Sequence, residues 1–216
     1  GARINGDKEF NGFTFYAVGD GTVVDNIVSK YGDDDAIEFF GGTVDVTNLL
    51  VVNAKDDMID WTQGFTGTIT NAYAIREYGF NDVTQDPRGI EADGNLDGLS
   101  PTQSGQSNPT LTDLTIVSNS VVQLSDIMKI RRGSGALISN CLVLLGSNAP
   151  APDDFVDCTD GAGDAAASTN ITVVGSGNNL NITDNKVGVN NATINTTSGT
   201  TGGADTTAFN WTGYFN

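Results

Sequence analysis

The sequence predicts an all-β fold: a single right-handed parallel β-helix of about six to eight coils with loop insertions at its corners. Three observations lead there. Residues 33–52, DDDAIEFFGGTVDVTNLLVV, read as one rung, with an acidic corner, a short strand over 37–40, a Gly-Gly turn, a Thr-Val-Asp-Val strand, an Asn at the bend and a closing apolar strand. The first strand of that rung recurs with Phe13, Ile37, Ile59, Ile90, Met128 and Val156 in the same place. A second anchor follows in the same order, at Asn26, Asn48, Asn71, Asp113, Asn140 and Asn170. The extra length between anchors falls in Gly/Ser/Pro/Asp-rich stretches, so it belongs in corner loops. One rung alone has too few apolar residues to bury a core, but rungs stacked at about 4.8 Å share one. Asn suits the bend because it tolerates left-handed backbone and its amide reaches the Asn of the next rung.

All 216 residues are assigned to one domain, with clear coils over 10–157 and a less regular Asn/Thr/Gly-rich end over 158–216. Residues 1–9 are polar and are expected to form an incoming strand. Residues 10–30 make the first full coil, 31–53 the defining rung, and 54–77 repeat it with Asp56 and Asp57 at the corner. Residues 78–108 depart from the pattern with a Gly/Ser/Gln/Asn insertion, a long loop of the kind that carries function. The stack resumes at 110–117, carries its densest basic cluster at Lys129, Arg131 and Arg132, and is most apolar over 135–145. The terminal Phe209-Asn210-Trp211-Thr212 echoes Ile59-Asp60-Trp61-Thr62, so the tail is expected to pair as another first strand and cap the stack.

The chain has 27 acids against 10 bases, no histidine and a net charge of −17. No basic face exists to neutralise phosphates, which excludes nucleic acid as a partner and disfavours anionic lipid. No apolar run reaches the ~18 residues of a membrane span. The acidity suits salty or calcium-rich surroundings outside the cell, and the chain reads as a mature or excised piece. Cys141 and Cys158 are the only cysteines; a disulfide and two buried thiols both fit their spacing. Asn170, Asn181, Asn191, Asn195 and Asn210 each open an N-x-T sequon, read either as glycan sites or as a by-product of Asn/Thr-rich turns.

The phrases FNGFTFYAVGDGT, DDDAIEFFGGTV, DDMIDWTQGFTG, RGIEADG, SNPTLTDLTIV and FNWTG occur in that order. In them the chain resembles a family of secreted or surface-attached β-helix proteins of marine and environmental bacteria, known as hypothetical proteins or lipoproteins. The resemblance implies a fold and a secreted or cell-surface location. It implies no activity.

Three constellations are candidates for chemistry. Asp34, Asp35, Asp56, Asp57, Asp126, Asp153 and Asp154 take one corner place on successive coils, with Asp86 near it on the intervening one. Stacked like charges need an offset, and a hard oxygen-ligated cation such as Ca2+, helped by Asp60, Asp93 or Asp97, supplies it; capping of local turn amides is the competing reading. Thr14, Glu38, Asp60, Glu91, Lys129 and Asp157 point outward in one column. There, paired carboxylates among Glu38, Asp60 and Glu91 suit glycoside hydrolysis, and Lys129, Arg131 and Arg132 beside Glu91 and Asp157 suit β-elimination from a uronate polymer; a charged face kept for solubility is the weightier competing reading. Phe40, Trp61 and Tyr78 are candidates for sugar stacking if they face out, and core ladder residues if they face in.

With no catalytic signature, the expected role is a secreted or cell-surface structural or binding protein, in adhesion, extracellular matrix or polysaccharide binding, stabilised by cations. A polysaccharide lyase or glycoside hydrolase is the alternative, and self-association of coil ends into a filament is a third reading.

Overall fold

The structure, a computed structural model, describes residue 4, residues 9–95 and residues 103–215. Among the described residues, fourteen strands alternate between two sheets of seven. The first sheet holds β1 (Phe13–Tyr16), β3 (Ile37–Phe40), β5 (Ile59–Thr62), β7 (Ile90–Ala92), β9 (Asp126–Ile130), β11 (Asp154–Asp157) and β13 (Asn185–Lys186). The second holds β2 (Val23–Lys30), β4 (Asp45–Val52), β6 (Thr68–Arg76), β8 (Thr110–Ser118), β10 (Leu137–Leu145), β12 (Asn170–Ser176) and β14 (Thr193–Ser198). Each strand pairs in parallel with the strands two before and two after it, which makes the chain a parallel β-helix. Parallel strands joined by crossovers rather than hairpins place equivalent residues over one another.

The first-strand register is the one the sequence anchors define. Phe13 lies on Ile37, Ile59 on Ile90, Ile90 on Met128, Met128 on Val156, and Val156 on Asn185. These strands alternate, so Ile37 and Phe39, Ile59 and Trp61, and Met128 and Ile130 are buried while the residue between each pair faces out. Inside the coil, Phe15, Phe39 and Phe65 stack with centroids 5.3 and 4.3 Å apart.

Each long strand of the second sheet is bent by its asparagine. Asn26, Asn48, Asn71, Asp113 and Asn140 have φ between 47 and 58°. Inward positions on either side of the bend are therefore three apart: Val46 and Leu49, Ile69 and Ala72, Leu111 and Leu114, Ile138 and Cys141. The amides link the coils, Asn71 Nδ2 donating to Asn48 Oδ1 (2.7 Å), Asn48 to Asn26 (3.2 Å) and Asn140 to Asp113 (2.6 Å). Asn170 does not join this column. It opens β12 opposite Leu137, and the register then shifts so that Val173 meets Cys141. β12 has one residue fewer before its apolar pair, so it runs through without the left-handed bend. The Gly-Gly turn is sterically required, because at Gly42 (φ +89°) a Cβ would sit 2.4 Å from the Val18 carbonyl oxygen.

The tail departs from expectation. Residues Thr206–Thr212 form a 3₁₀ helix, capped by the Asp205 carboxylate on Thr207 N–H and closed by left-handed Gly213, rather than another first strand. It lies against the outside of the second sheet, where Phe209 is fully buried on Leu50, Val52, Ile75 and Val117. Those four residues point away from the coil interior, so an apolar stripe there needed a cover, and the aromatic tail supplies it. Asp205 N–H and Gly203 N–H bond the side-chain oxygens of Asn71 and Asn140, which ties the tail to the asparagine column.

Cys141 and Cys158 are both buried free thiols, so of the two sequence readings the disulfide is absent. Burial raises both, Cys158 to about 12. The incoming strand expected in residues 1–9 and the ligand candidate Asp97 lie outside the described residues, apart from residues 4 and 9. All five sequon asparagines are exposed.

Candidate functional site

The outward column of the first sheet is continuous. Thr14 lies on Glu38, Glu38 on Asp60, Asp60 on Glu91, Glu91 on Lys129, Lys129 on Asp157, and Asp157 on Lys186. A second charged column runs beside it, two residues before each inward apolar anchor, and contains Asp35, Asp57, Arg88, Asp126 and Asp154. Asp57 N–H donates to Asp35 Oδ1 (3.0 Å), Arg88 N–H to Asp57 Oδ1 (2.7 Å), and Arg88 Nε to Asp126 Oδ2 (3.1 Å). The intervening coil thus puts Arg88 in this column, and Asp86, expected there, is a side partner of that arginine at 3.3 Å.

From Arg88 onward the acids of both columns have cations. Arg88 reaches Glu91 at 2.6 Å, and Arg131 holds Glu91 and Asp93 at 2.8 Å each. Arg132 reaches Asp93 at 2.8 Å and Asp160 at 3.5 Å. Lys129 pairs with Asp157 at 2.5 Å, and Lys186 with Asp154 at 2.5 Å and Asp157 at 3.5 Å. Burial alone would raise Asp157; Lys129 and two hydrogen bonds from Thr159 hold it below its usual range. Burial likewise tends to lower Arg88 and Arg131, and the carboxylates around them, Glu91 foremost, raise both instead.

Toward β1 the same columns are acidic. Oxygens of Asp35, Glu38 and Asp60 lie within 4.8 Å of one another, and those of Asp34, Asp35 and Asp56 form a second such group. Among the described residues no hydrogen bond or ion pair reaches the Asp60 carboxylate. Glu38 accepts from the Asn11 amide, and Asp56 from the Thr84 hydroxyl at 2.6 Å. Burial raises Asp35 well above the carboxylate range, and Glu38 and Asp34 add to it. Asp57 is raised by burial and then by Asp35, Glu91 and Asp56; Asp60 by burial and then by Asp35, Glu38 and Glu91. Two carboxylates about 4 Å apart repel by roughly 1 kcal/mol in water and more where water is scarce. A proton or a hard cation relieves this, and the all-oxygen donor set suits Ca2+.

The structure brings Asp34, Asp35, Asp56, Asp57, Asp60 and Glu38 together, and groups Lys129, Arg131, Arg132 and Glu91 separately. Asp153 and Asp154 do not join the first group, since Arg88 and Asp126 intervene; exposed Asp153 accepts from the Gln123 amide at 2.8 Å. Trp61, a sugar-stacking candidate, is instead wholly interior, its indole N–H on Ser134 Oγ at 3.0 Å, because it occupies an inward position of β5. Phe40 faces out and stacks on exposed Tyr16 with centroids 4.5 Å apart, and Tyr78 is 71% exposed. Arg88 and Lys186 are members of this charged face that the sequence reading missed. Arg88 was detectable, since it directly precedes Gly89-Ile90 where other coils carry the corner acid.

A two-sheet parallel coil with a charged outer face defines the class: a parallel β-helix solenoid. The chain belongs to the family described as the pectate-lyase like beta helix domain, which matches residues 1–215. Neither comparison, with curated proteins or with solved structures, finds a match.

Proposed function

We propose that this protein is a secreted or cell-surface β-helix with a structural and polysaccharide-binding role, right-handed and of about seven coils, whose acidic end binds Ca2+ through Asp35, Glu38 and Asp60. The observation that carries the cation is Asp60, a carboxylate set between acids on both neighbouring coils with no cation beside it among the described residues. Asp34, Asp56 and Asp57 enlarge the same negative field. The acidic composition supports a location outside the cell.

The cation is tested by thermal melting in Ca2+ and in EDTA. Saturating Ca2+ should raise the midpoint by at least about 4 °C in a chain this size, and an unchanged midpoint removes the cation from the reading.

A lyase is the second reading, favoured by the family description and by Lys129, Arg131 and Arg132 beside Glu91. Elimination needs a base that gives up its proton near neutrality. Arg131 is held charged by Glu91 and Asp93, so it is not poised for that task; the Lys129 ammonium is engaged by Asp157. Incubation with pectate and alginate, followed at the absorbance of the unsaturated product, decides: product formation overturns the non-catalytic reading.

A further inference from the structure

The corner that follows each second-sheet strand carries its own set of side chains. Tyr31 N–H bonds the Val52 carbonyl and Asn53 N–H that of Ile75, both at 2.9 Å. One residue further along the corner, Asn119 N–H bonds Arg76 and Gly146 N–H bonds Ser118, both at 2.8 Å, so Glu77, Asn119 and Gly146 follow on successive coils. A hollow of about 300 Å³ lies between Tyr31, Glu77, Tyr78 and Phe80. A second, of about 190 Å³, lies between Tyr78, Asn119, Gly146 and Asn148. They share Tyr78, so together they form one groove running from coil to coil with a tyrosine in its middle.

Its chemistry is specific. Tyr78 and Tyr31 are 71% and 61% exposed, and Phe80 sits edge-on to Tyr31 at 6.2 Å. Tyr31 has φ 57°, left-handed backbone that is costly for a bulky residue, whereas the next coil uses Asn53 at φ 61°. A ring held there against that cost points to use of its exposed face. Between the rings, the Glu77 carboxylate is fixed by the Asn53 amide (2.7 Å) and the Tyr214 hydroxyl (2.8 Å), leaving lone pairs free to accept. No described protein group bonds the Asn119 side chain, which offers a donor and an acceptor. At Gly146 a Cβ would sit 2.6 Å from Asn119 Oδ1, so glycine keeps the floor open.

We infer that this groove binds a linear, uncharged polysaccharide lying along the helix axis, its sugar rings on Tyr31 and Tyr78 and its hydroxyls on Glu77 and Asn119. The inference rests on the polysaccharide-binding part of the reading above and gives it a place and a ligand class. Aromatic faces suit the C–H face of a pyranose, and fixed acceptors suit its hydroxyls. The coil spacing of about 4.8 Å is close to the length of one pyranose unit, so a chain can keep step with the coils. Glu77, among the described residues the one charged side chain lining either hollow, disfavours uronates.

The test is calorimetric titration of the whole chain with cello-, laminari- and mannohexaose, and with pectate and alginate oligomers. The variants are Tyr78→Ala and Tyr31→Asn; Asn matches the local backbone, so the second keeps the fold, as an unchanged melting midpoint would verify. Wild type should bind at least one neutral oligomer, and each variant should weaken it at least about tenfold, the loss of one stacking face. Neutral binding unaffected by both variants overturns the groove while leaving polysaccharide binding intact. Binding to uronates alone overturns the ligand class, and binding to none of the panel overturns the groove and the polysaccharide reading together.

Discussion

The two ends of the charged face use one backbone register and opposite electrostatics. From Arg88 to Lys186, Glu91, Asp126, Asp154 and Asp157 each meet a lysine or arginine on their own or an adjacent coil, and Asp157 is held low. From Asp35 to Asp60, acid stacks on acid, and burial, reinforced by that stacking, pushes the carboxyls up. A coil therefore imposes proximity without deciding whether it helps. The side chain at each place on the rung decides, and Arg88 is where the face changes sign.

The comparison breaks most sharply at that residue. Replacing Arg88 by Met leaves Asp126 and Glu91 with a buried neighbour that carries no charge, and should cost about 3–5 kcal/mol, read as the fall in denaturation midpoint. A loss under about 1 kcal/mol would mean that the pairs around Arg88 act only as exposed ones do.

A middle-sized effect is expected at Asp60. A carboxyl whose pKa is higher in the folded than in the unfolded state makes folding bind protons, so stability grows as pH falls from the raised folded values toward the ordinary value near 4. Without added cation, the wild-type midpoint should climb over that interval and then decline in stronger acid, as Asp157 and Asp160, which are held low, become protonated. Asp60→Asn should stabilise the chain by roughly 1 kcal/mol at pH 8, flatten the climb, and remove most of the response to Ca2+. A midpoint independent of pH from 8 to 5 would show that the acidic end carries no net repulsion. The smallest effect belongs to Lys186, whose side chain is half exposed: Lys186→Ala should cost no more than about 1 kcal/mol and less in high salt.

The stack was legible in the sequence because columns need only a repeated apolar anchor and a repeated bend. Ile37, Ile59, Ile90 and Met128 supplied the first, Asn26 to Asn140 the second. Asn170 misled because an Asn before an Ile carries no record of the residue that β12 lacks. The tail misled for a related reason. Phe209-Asn210-Trp211 copies the order of a first strand, but only the coordinates reveal the outward stripe of Leu50, Val52, Ile75 and Val117 that competes for its rings. The charged face was half legible: which acids align follows from the repeat, whereas the pairing of Glu91 with both Arg88 and Arg131 depends on side-chain reach across coils.

Residues 203–215 come after all the coils whose flank they shield. During synthesis the flank is wet and sticky until that aromatic segment folds back, so the lateral surface is finished only once the coils it covers are stacked. A protease that removed the segment would leave the coil register intact and uncover a ready-made greasy side. Neighbouring molecules could then adhere flank to flank, with no strand exchanged.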